Sequence, residues 1–257
     1  MELDALLEKL KLDHLQAQLD TVCEQAAAQE ADYKSFLTEA LRVEWQGRFQ
    51  RGIEARLRQS RFPWVKTLEQ FDFGFNPTIN RALIQELATG RFIEEPVSVL
   101  IAGPCGTGKS HLAQALGHIG VRLGHDVQFT TQTQLLGSLN AARATGTFER
   151  RFQALTRVSL LIIDDFGLKP LRPPQDEDFH DLIAERYEQT ATIVTSNLDF
   201  AEWGDAFPNR LLGAATLDRL RHGAYRVVLD GDSYRSPRPL PEAQKTPLAK
   251  GSKNAKS

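Results

Sequence analysis

Apolar residues in the first quarter of the chain recur every three or four positions. Leu3, Leu6, Leu7 and Leu10, followed by Leu12, Leu15, Leu19 and Val22, predict an amphipathic helix or a pair of them. Residues 32–41 predict the next helix, with Tyr33, Phe36, Leu37, Ala40 and Leu41 along one face. Phe49, Ile53 and Leu57 continue a helical stripe at intervals of four until Pro63-Trp64 breaks it. A short extended linker over 66–73 follows. Residues 78–90 read as a helix with Ile79, Leu83, Ile84 and Leu87 as its apolar positions, Asn76-Pro77 just ahead and Gly90 as its stop.

From residue 97 the pattern changes. Val97, Val99, Leu100, Ile101 and Ala102 make a nearly unbroken apolar run, the mark of a strand buried on both faces. Residues 111–123 return to helical spacing through Leu112, Ala115, Leu116 and Ile119. A strand is expected at 127–130, helices at 134–144 and 148–155, a buried strand at 160–165, a helix at 178–188 and a buried strand at 192–197. A short helix ending over 217–223 and an edge strand at 225–229 complete the series. Strands alternating with helices predict an α/β fold with a parallel sheet flanked by helices, behind a small all-α segment. The expected organisation is a helical N-terminal domain over 1–65, a nucleotide-binding domain over 66–235, and a disordered basic tail, rich in Pro and Lys, over 236–257.

The turn after the first buried strand reads Gly103, Pro104, Cys105, Gly106, Thr107, Gly108, Lys109 and Ser110, with His111 next. It fits the phosphate-binding loop, and it lies between a strand and a helix as that loop requires. Its glycines allow a tight turn that aims backbone N–H groups at phosphate oxygens, and the helix N-terminus favours anions. Lys109 is expected to reach the β- and γ-phosphates of ATP, and the Ser110 hydroxyl to hold Mg²⁺. Leu160, Leu161, Ile162 and Ile163 then cross the sheet and end in Asp164 and Asp165, at the edge where parallel sheets bind ligands. Asp164 is placed to support Mg²⁺ through its water shell, and Asp165 to orient or deprotonate an attacking water. Asn197, at the exit of a later strand, either reaches the γ-phosphate or that water, or caps the next turn. The Phe residues of the linker pack either beside the adenine or in the core.

The 257 residues carry a formal net charge of −2, so any DNA site must come from local clustering. Two clusters stand out. Between Arg42 and Lys66 seven basic residues, including Arg48, Arg51, Arg56 and Arg58, oppose only Glu44 and Glu54. Arg143, Arg150 and Arg151 form the second. Each is either a solvated helix face or a surface that tracks DNA phosphates. A disulfide between Cys23 and Cys105 would block the phosphate loop, so a reducing cytoplasm is expected. The N-terminus is acidic, unlike a signal peptide, and no apolar run reaches the ~18 residues of a membrane span.

Together these pieces resemble an AAA+ ATPase of the helicase-loader and initiator branch, and more closely the IstB family of transposition helper ATPases. The resemblance covers about residues 1–235. It rests on the linker at 66–73, the loop at 103–110, residues 161–167, Thr195-Ser196-Asn197, Asp218-Arg219-Leu220 and Asp232-Ser233-Tyr234-Arg235. It implies that Asn197 is a first sensor and that Arg219 is an arginine finger for the neighbouring subunit's nucleotide. It also implies DNA-stimulated ATP hydrolysis, ATP-dependent homo-oligomers on duplex DNA, and engagement of a transposase. The chain departs from the general pattern in two places. Asp165 stands where a glutamate is usual, and no helical lid follows residue 235, which leaves Arg235 or Arg221 as candidates for a second sensor. A helicase loader on single-stranded DNA is the nearest alternative. A small-molecule kinase would need an acceptor site and a lid of which the sequence gives no sign, and Asp165 leaves a non-hydrolysing scaffold open.

Overall fold

The computed structural model describes residues 2–76, 79–231 and 234. Helices α1 (Leu3–Lys9), α2 (Asp13–Ala28) and α3 (Tyr33–Ser60) close a small apolar core around Leu7, Leu15, Val22 and Ala40. The helix expected at 32–41 and the basic stretch after it are one helix of 28 residues. Asp32 starts it by accepting the Ser35 N–H at 2.7 Å, and Arg61, in the left-handed region at φ 58°, ends it.

Leu12, at the N-cap of α2, has no side chain that can cap. The buried carboxylate of Glu44 on α3 does so instead, accepting the N–H groups of His14 and Leu15 at 2.9 Å each. Burial alone would push the Glu44 carboxyl up. The hydrogen bond from Arg48, the Leu15 amide, the Arg48 charge and the His14 amide outweigh it and hold the group below its ordinary value.

The remaining elements are α4 (Arg81–Ala88), α5 (Arg91–Glu94), β1 (Val99–Ala102), α6 (Lys109–Arg122), β2 (Val127–Thr131), α7 (Gln132–Ala144), α8 (Phe148–Arg157), β3 (Leu160–Phe166), α9 (Gln175–Arg186), β4 (Ala191–Ser196), α10 (Arg210–Arg221) and β5 (Tyr225–Val228). The strands form one all-parallel sheet in the order β2-β3-β4-β1-β5. Successive residues of a strand serve opposite faces. Val99, Ile101, Leu160 and Ile162 pack with Ile84 of α4, Phe92 of α5 and Leu112 and Leu116 of α6. Leu100, Leu161, Ile163 and Val194 pack with the apolar sides of α7, α8, α9 and α10. Both faces are covered, which is why the central strands read as continuous apolar runs.

The far end of α3 joins the first of these layers through Ile53 and Leu57, and Phe62 stacks on His118 of α6 with ring centroids 4.4 Å apart. The first helical layer and the sheet therefore share one continuous helix. Several boundaries differ from expectation. α6 and α7 begin two residues early, at Lys109 and Gln132, and β4 covers Ala191–Ser196. α4 begins at Arg81 because Asn80 caps it, accepting the Leu83 N–H at 3.1 Å; Pro77 and Thr78 lie outside the described residues. α9 begins at Gln175 and stops at Arg186, shifted toward the N-terminus of the expected 178–188. Asp232, Ser233, Arg235 and the expected tail over 236–257 also lie outside the described residues.

Candidate active site

β1 delivers the chain to the C-terminal edge of the sheet, and α6 carries it away. The loop between them fits only because two positions lack a side chain. At Gly103 (φ 148°) a Cβ would stand 1.9 Å from the carbonyl oxygen of Leu229, just past β5. At Gly108 (φ 99°) it would stand 2.9 Å from the ring of Phe71. That buried ring also meets His111 edge-on at 5.3 Å, and His111 Nε2 lies 2.9 Å from the Thr67 carbonyl oxygen. The linker is thus fastened across the loop. Inside the curl, Lys109 Nζ donates to the Pro104 carbonyl at 2.6 Å, and Thr107 Oγ1 donates to the same oxygen at 2.9 Å. Lys109 opens α6, whose first N–H groups have no partner within the helix and suit an anion.

On the other side of the cleft, Ser110 Oγ donates to Asp164 Oδ1 at 2.9 Å. The Thr195 hydroxyl on β4 donates to the same oxygen. The Asp165 N–H donates to Thr195 Oγ1 at 3.2 Å. Asn197 follows the end of β4. A cleft of about 920 Å³ is lined by Lys109, Ser110, Asp164, Asp165 and Asn197 together, with Phe71 and Trp64 of the preceding segment on its wall. Its size and polarity suit a nucleotide. The paired hydroxyl and carboxylate of Ser110 and Asp164 are hard oxygen donors of the type Mg²⁺ prefers. Among the described residues no group of three or more His, Cys, Asp or Glu could hold a metal ion.

Arg219 does not line this cleft. It lies half-buried near the end of α10, with Nη1 donating to the Ala215 carbonyl at 3.2 Å. Arg221 is also outside the cleft: it donates to the Phe200 carbonyl, and burial, with Arg226 nearby, pushes its guanidinium down. Arg235, the other sensor candidate, lies outside the described residues.

The basic clusters are largely engaged within the chain. Arg48 bonds Glu44 Oε1 and the Lys11 carbonyl at 2.6 Å each, and so ties α3 to the turn between α1 and α2. Arg51 pairs with Asp13 at 3.7 Å and Arg56 with Asp126 at 3.2 Å. Arg143 makes a bidentate contact with Asp178 at 2.6 and 3.1 Å and lies over the Phe148 ring. Arg151 is half-buried and donates to Ser138 Oγ at 3.2 Å; burial, with Arg61 close by, pushes its guanidinium down. Arg58 and Arg150 are exposed, with no charged partner among the described residues.

Two polar residues that pattern reading left without a role belong to the site's frame. Thr195 touches both acids. Gln132 accepts the Gly167 N–H at 2.7 Å and donates to the Lys169 carbonyl at 2.9 Å, holding the chain after β3. Each shows in sequence only as a polar residue beside an apolar run.

The sequence signature of the IstB-like ATP binding protein family is matched by residues 5–240. A Pseudomonas aeruginosa protein of insertion sequence IS21, named for ATP binding, is 44% identical over 234 residues, covering 91% of this chain and 88% of that one. A Geobacillus stearothermophilus counterpart from insertion sequence IS5376 is 33% identical over 227 residues, covering 88% and 90%. Among solved structures, the replication initiator DnaA bound to AMPPCP and single-stranded DNA superposes with a TM-score of 0.54 at 22% identity, over 65% of this chain and half of that one. The DnaC helicase loader gives 0.52 at 23% identity, over 58% of this chain and 89% of that one. These structural likenesses bear on fold alone: an α/β core with a five-stranded parallel sheet flanked by helices.

Proposed function

Since this chain belongs to the family of IstB-like ATP-binding proteins, we propose that it hydrolyses ATP to ADP and phosphate, assembles as a homo-oligomer on duplex DNA, and prepares that DNA for the transposase of its mobile element. The observation that carries this reading is the cleft where Lys109, the Ser110–Asp164 pair, Asp165 and Asn197 converge while Arg219 stands outside it. An arginine that is absent from its own subunit's site suits a finger that acts in a neighbour's.

On nucleotide binding, Lys109 Nζ exchanges the neutral Pro104 carbonyl for phosphate oxygens, a stronger charge-assisted contact. The amides of the loop and of the start of α6 hold the remaining phosphate oxygens. Ser110 and Asp164 would hold Mg²⁺, which would supply neutralisation of phosphate charge. Asp165 orients or deprotonates the attacking water, and the Asn197 amide fixes that water or the γ-phosphate. Arg219 of the neighbouring subunit stabilises charge on the transferred phosphoryl, which couples turnover to assembly. Membership of insertion sequences among the relatives supports a transposase as the protein partner. Arg58 and Arg150, exposed at the two basic clusters, are the foremost candidates for duplex phosphates.

Sedimentation of the protein with ATP and Mg²⁺, alone and with duplex or single-stranded DNA, tests the reading. A large ATP-dependent particle favouring duplex is expected. Lys109→Ala should neither bind ATP nor assemble. Arg219→Ala should keep its ATP affinity but lose DNA-stimulated hydrolysis by roughly 10³-fold or more. Assembly on single strands alone would replace this reading with that of a helicase loader. A monomer indifferent to DNA would leave an ATP site and refute the rest.

A further inference from the structure

β3 leaves its regular pairing with β4 at the two acids. Ile163 lies opposite Val194, and Phe166 lies opposite Ser196, so Asp164 and Asp165 together face the single residue Thr195. Two residues opposite one is a β-bulge, a device that re-aims side chains beside functional sites. In a regular strand consecutive side chains point to opposite faces, and only one of two adjacent acids would serve the cleft. Here Asp165 adopts φ 58°, in the left-handed region, and both acids line the same cleft. A non-glycine residue stays in that region only when its surroundings hold it there.

Thr195 supplies one contact that holds it there. The Thr195 side chain is buried, with 1% of the residue's surface exposed. Its one hydroxyl donates to Asp164 Oδ1, the oxygen that also accepts from Ser110 Oγ, and accepts from the Asp165 N–H at 3.2 Å. A single oxygen therefore contacts both the first carboxylate and the backbone of the second, beside the Ser110 bond to Asp164 and the Leu168 N–H on the Asp165 carbonyl. The second needs this more than a glutamate would, because a carboxylate on a shorter stem lies wherever its backbone puts it.

We propose that Thr195 is a positioning residue for both acids: through Asp164 it sets Mg²⁺ affinity, and through the bulge it sets the aim of Asp165. This rests on reading the cleft as a Mg²⁺–ATP site. Thr195→Val keeps the shape and removes the oxygen; Thr195→Ser keeps the oxygen. The readout is binding of a fluorescent ATP analogue to the full chain, titrated with Mg²⁺ and also measured without it, alongside ATP turnover.

For Thr195→Val the Mg²⁺ midpoint should rise about tenfold and turnover should fall ~10–100-fold, the usual effect of losing a partner behind a metal ligand, while Mg²⁺-free nucleotide affinity stays within about twofold. Thr195→Ser should lie within about threefold of wild type throughout. If the valine protein fails to fold by circular dichroism, Thr195→Ala set against Thr195→Ser gives the same comparison. An unchanged Mg²⁺ midpoint in the valine or alanine protein, or equal losses with and without Mg²⁺, overturns the proposal. Wild-type protein that binds Mg²⁺–ATP without turnover removes the hydrolysis reading instead, and the Mg²⁺ midpoint alone then decides the role of Thr195.

Discussion

Arg186→Met is expected to cost this protein several kcal/mol of stability, although the side chain lies outside the nucleotide cleft. The guanidinium is buried and pairs with no carboxylate among the described residues. Nε donates to Thr192 Oγ1 at 3.0 Å, and Nη1 donates to the carbonyls of Leu155, Thr156 and Val158 at 2.6, 3.2 and 3.0 Å. Nη2 donates to the Ala191 carbonyl. Leu155 and Thr156 belong to the last turn of α8, whose carbonyls have no partner within the helix and whose dipole favours a cation. The arginine is in effect the cap of α8, and it ties that helix end to the start of β4.

Burial pushes the guanidinium down to about 9, so it remains charged at neutral pH. That displacement corresponds to roughly 5 kcal/mol against placing the charge there. Hydrogen bonds to a charged group contribute about 1.5–3 kcal/mol each, enough for this set to exceed the penalty. Methionine fills a similar volume but takes the guanidinium donors from the carbonyls at the end of α8, of which Thr156 keeps only the Thr190 hydroxyl at 3.3 Å, and the expected net loss is about 3–5 kcal/mol. With a urea slope of about 2 kcal/mol per molar, the unfolding midpoint should fall by ~1.5–2.5 M. Arg186→Lys should recover only part of this, since an ammonium has fewer donors and no planar fork. A methionine variant with its midpoint within ~0.5 M of wild type would refute the capping argument.

Arg48→Ala should lower stability by about 1–3 kcal/mol by stripping Glu44 of its cation, whereas Arg58→Ala should leave the melting temperature unchanged and weaken duplex affinity. Thermal melts and anisotropy at two salt concentrations separate the two effects, and a reversal would return Arg48 to the DNA face. Burial, chiefly, lowers the pKa of His118, with Arg122 adding to it. The fold therefore favours the neutral ring. That contribution is complete above the unfolded value of about 6.5 and is lost as pH falls below it. His118→Phe should flatten the loss of stability between about pH 7 and 5, and an unaltered slope would show that the ring stacked on Phe62 is not its source.

The sequence by itself located the Gly-rich turn between β1 and α6 and the two acids within β3, because a strand, glycines, Lys109 and Ser110 in fixed succession are local chemistry. It determined the α/β alternation too, since burial on both faces writes unbroken apolar runs at β1, β3 and β4. Asn197 stands out as a polar residue at the exit of an apolar strand, whereas only the family resemblance points to Arg219. The sequence did not determine that α3 runs unbroken into the nucleotide-binding layer, because charge on an exposed face carries no information about helix continuity. Nor could it tell an arginine that meets phosphate from one that caps or pairs internally: Arg48, Arg143 and Arg186 look like Arg58 in one dimension. Tertiary structure decided those assignments, and it decided the bulge that sets Thr195 against both acids. Such choices depend on which carbonyls and carboxylates lie across a gap of about 3 Å from residues 30 or more positions away. Periodicity along a chain does not record that proximity, because it arises only when separate elements pack.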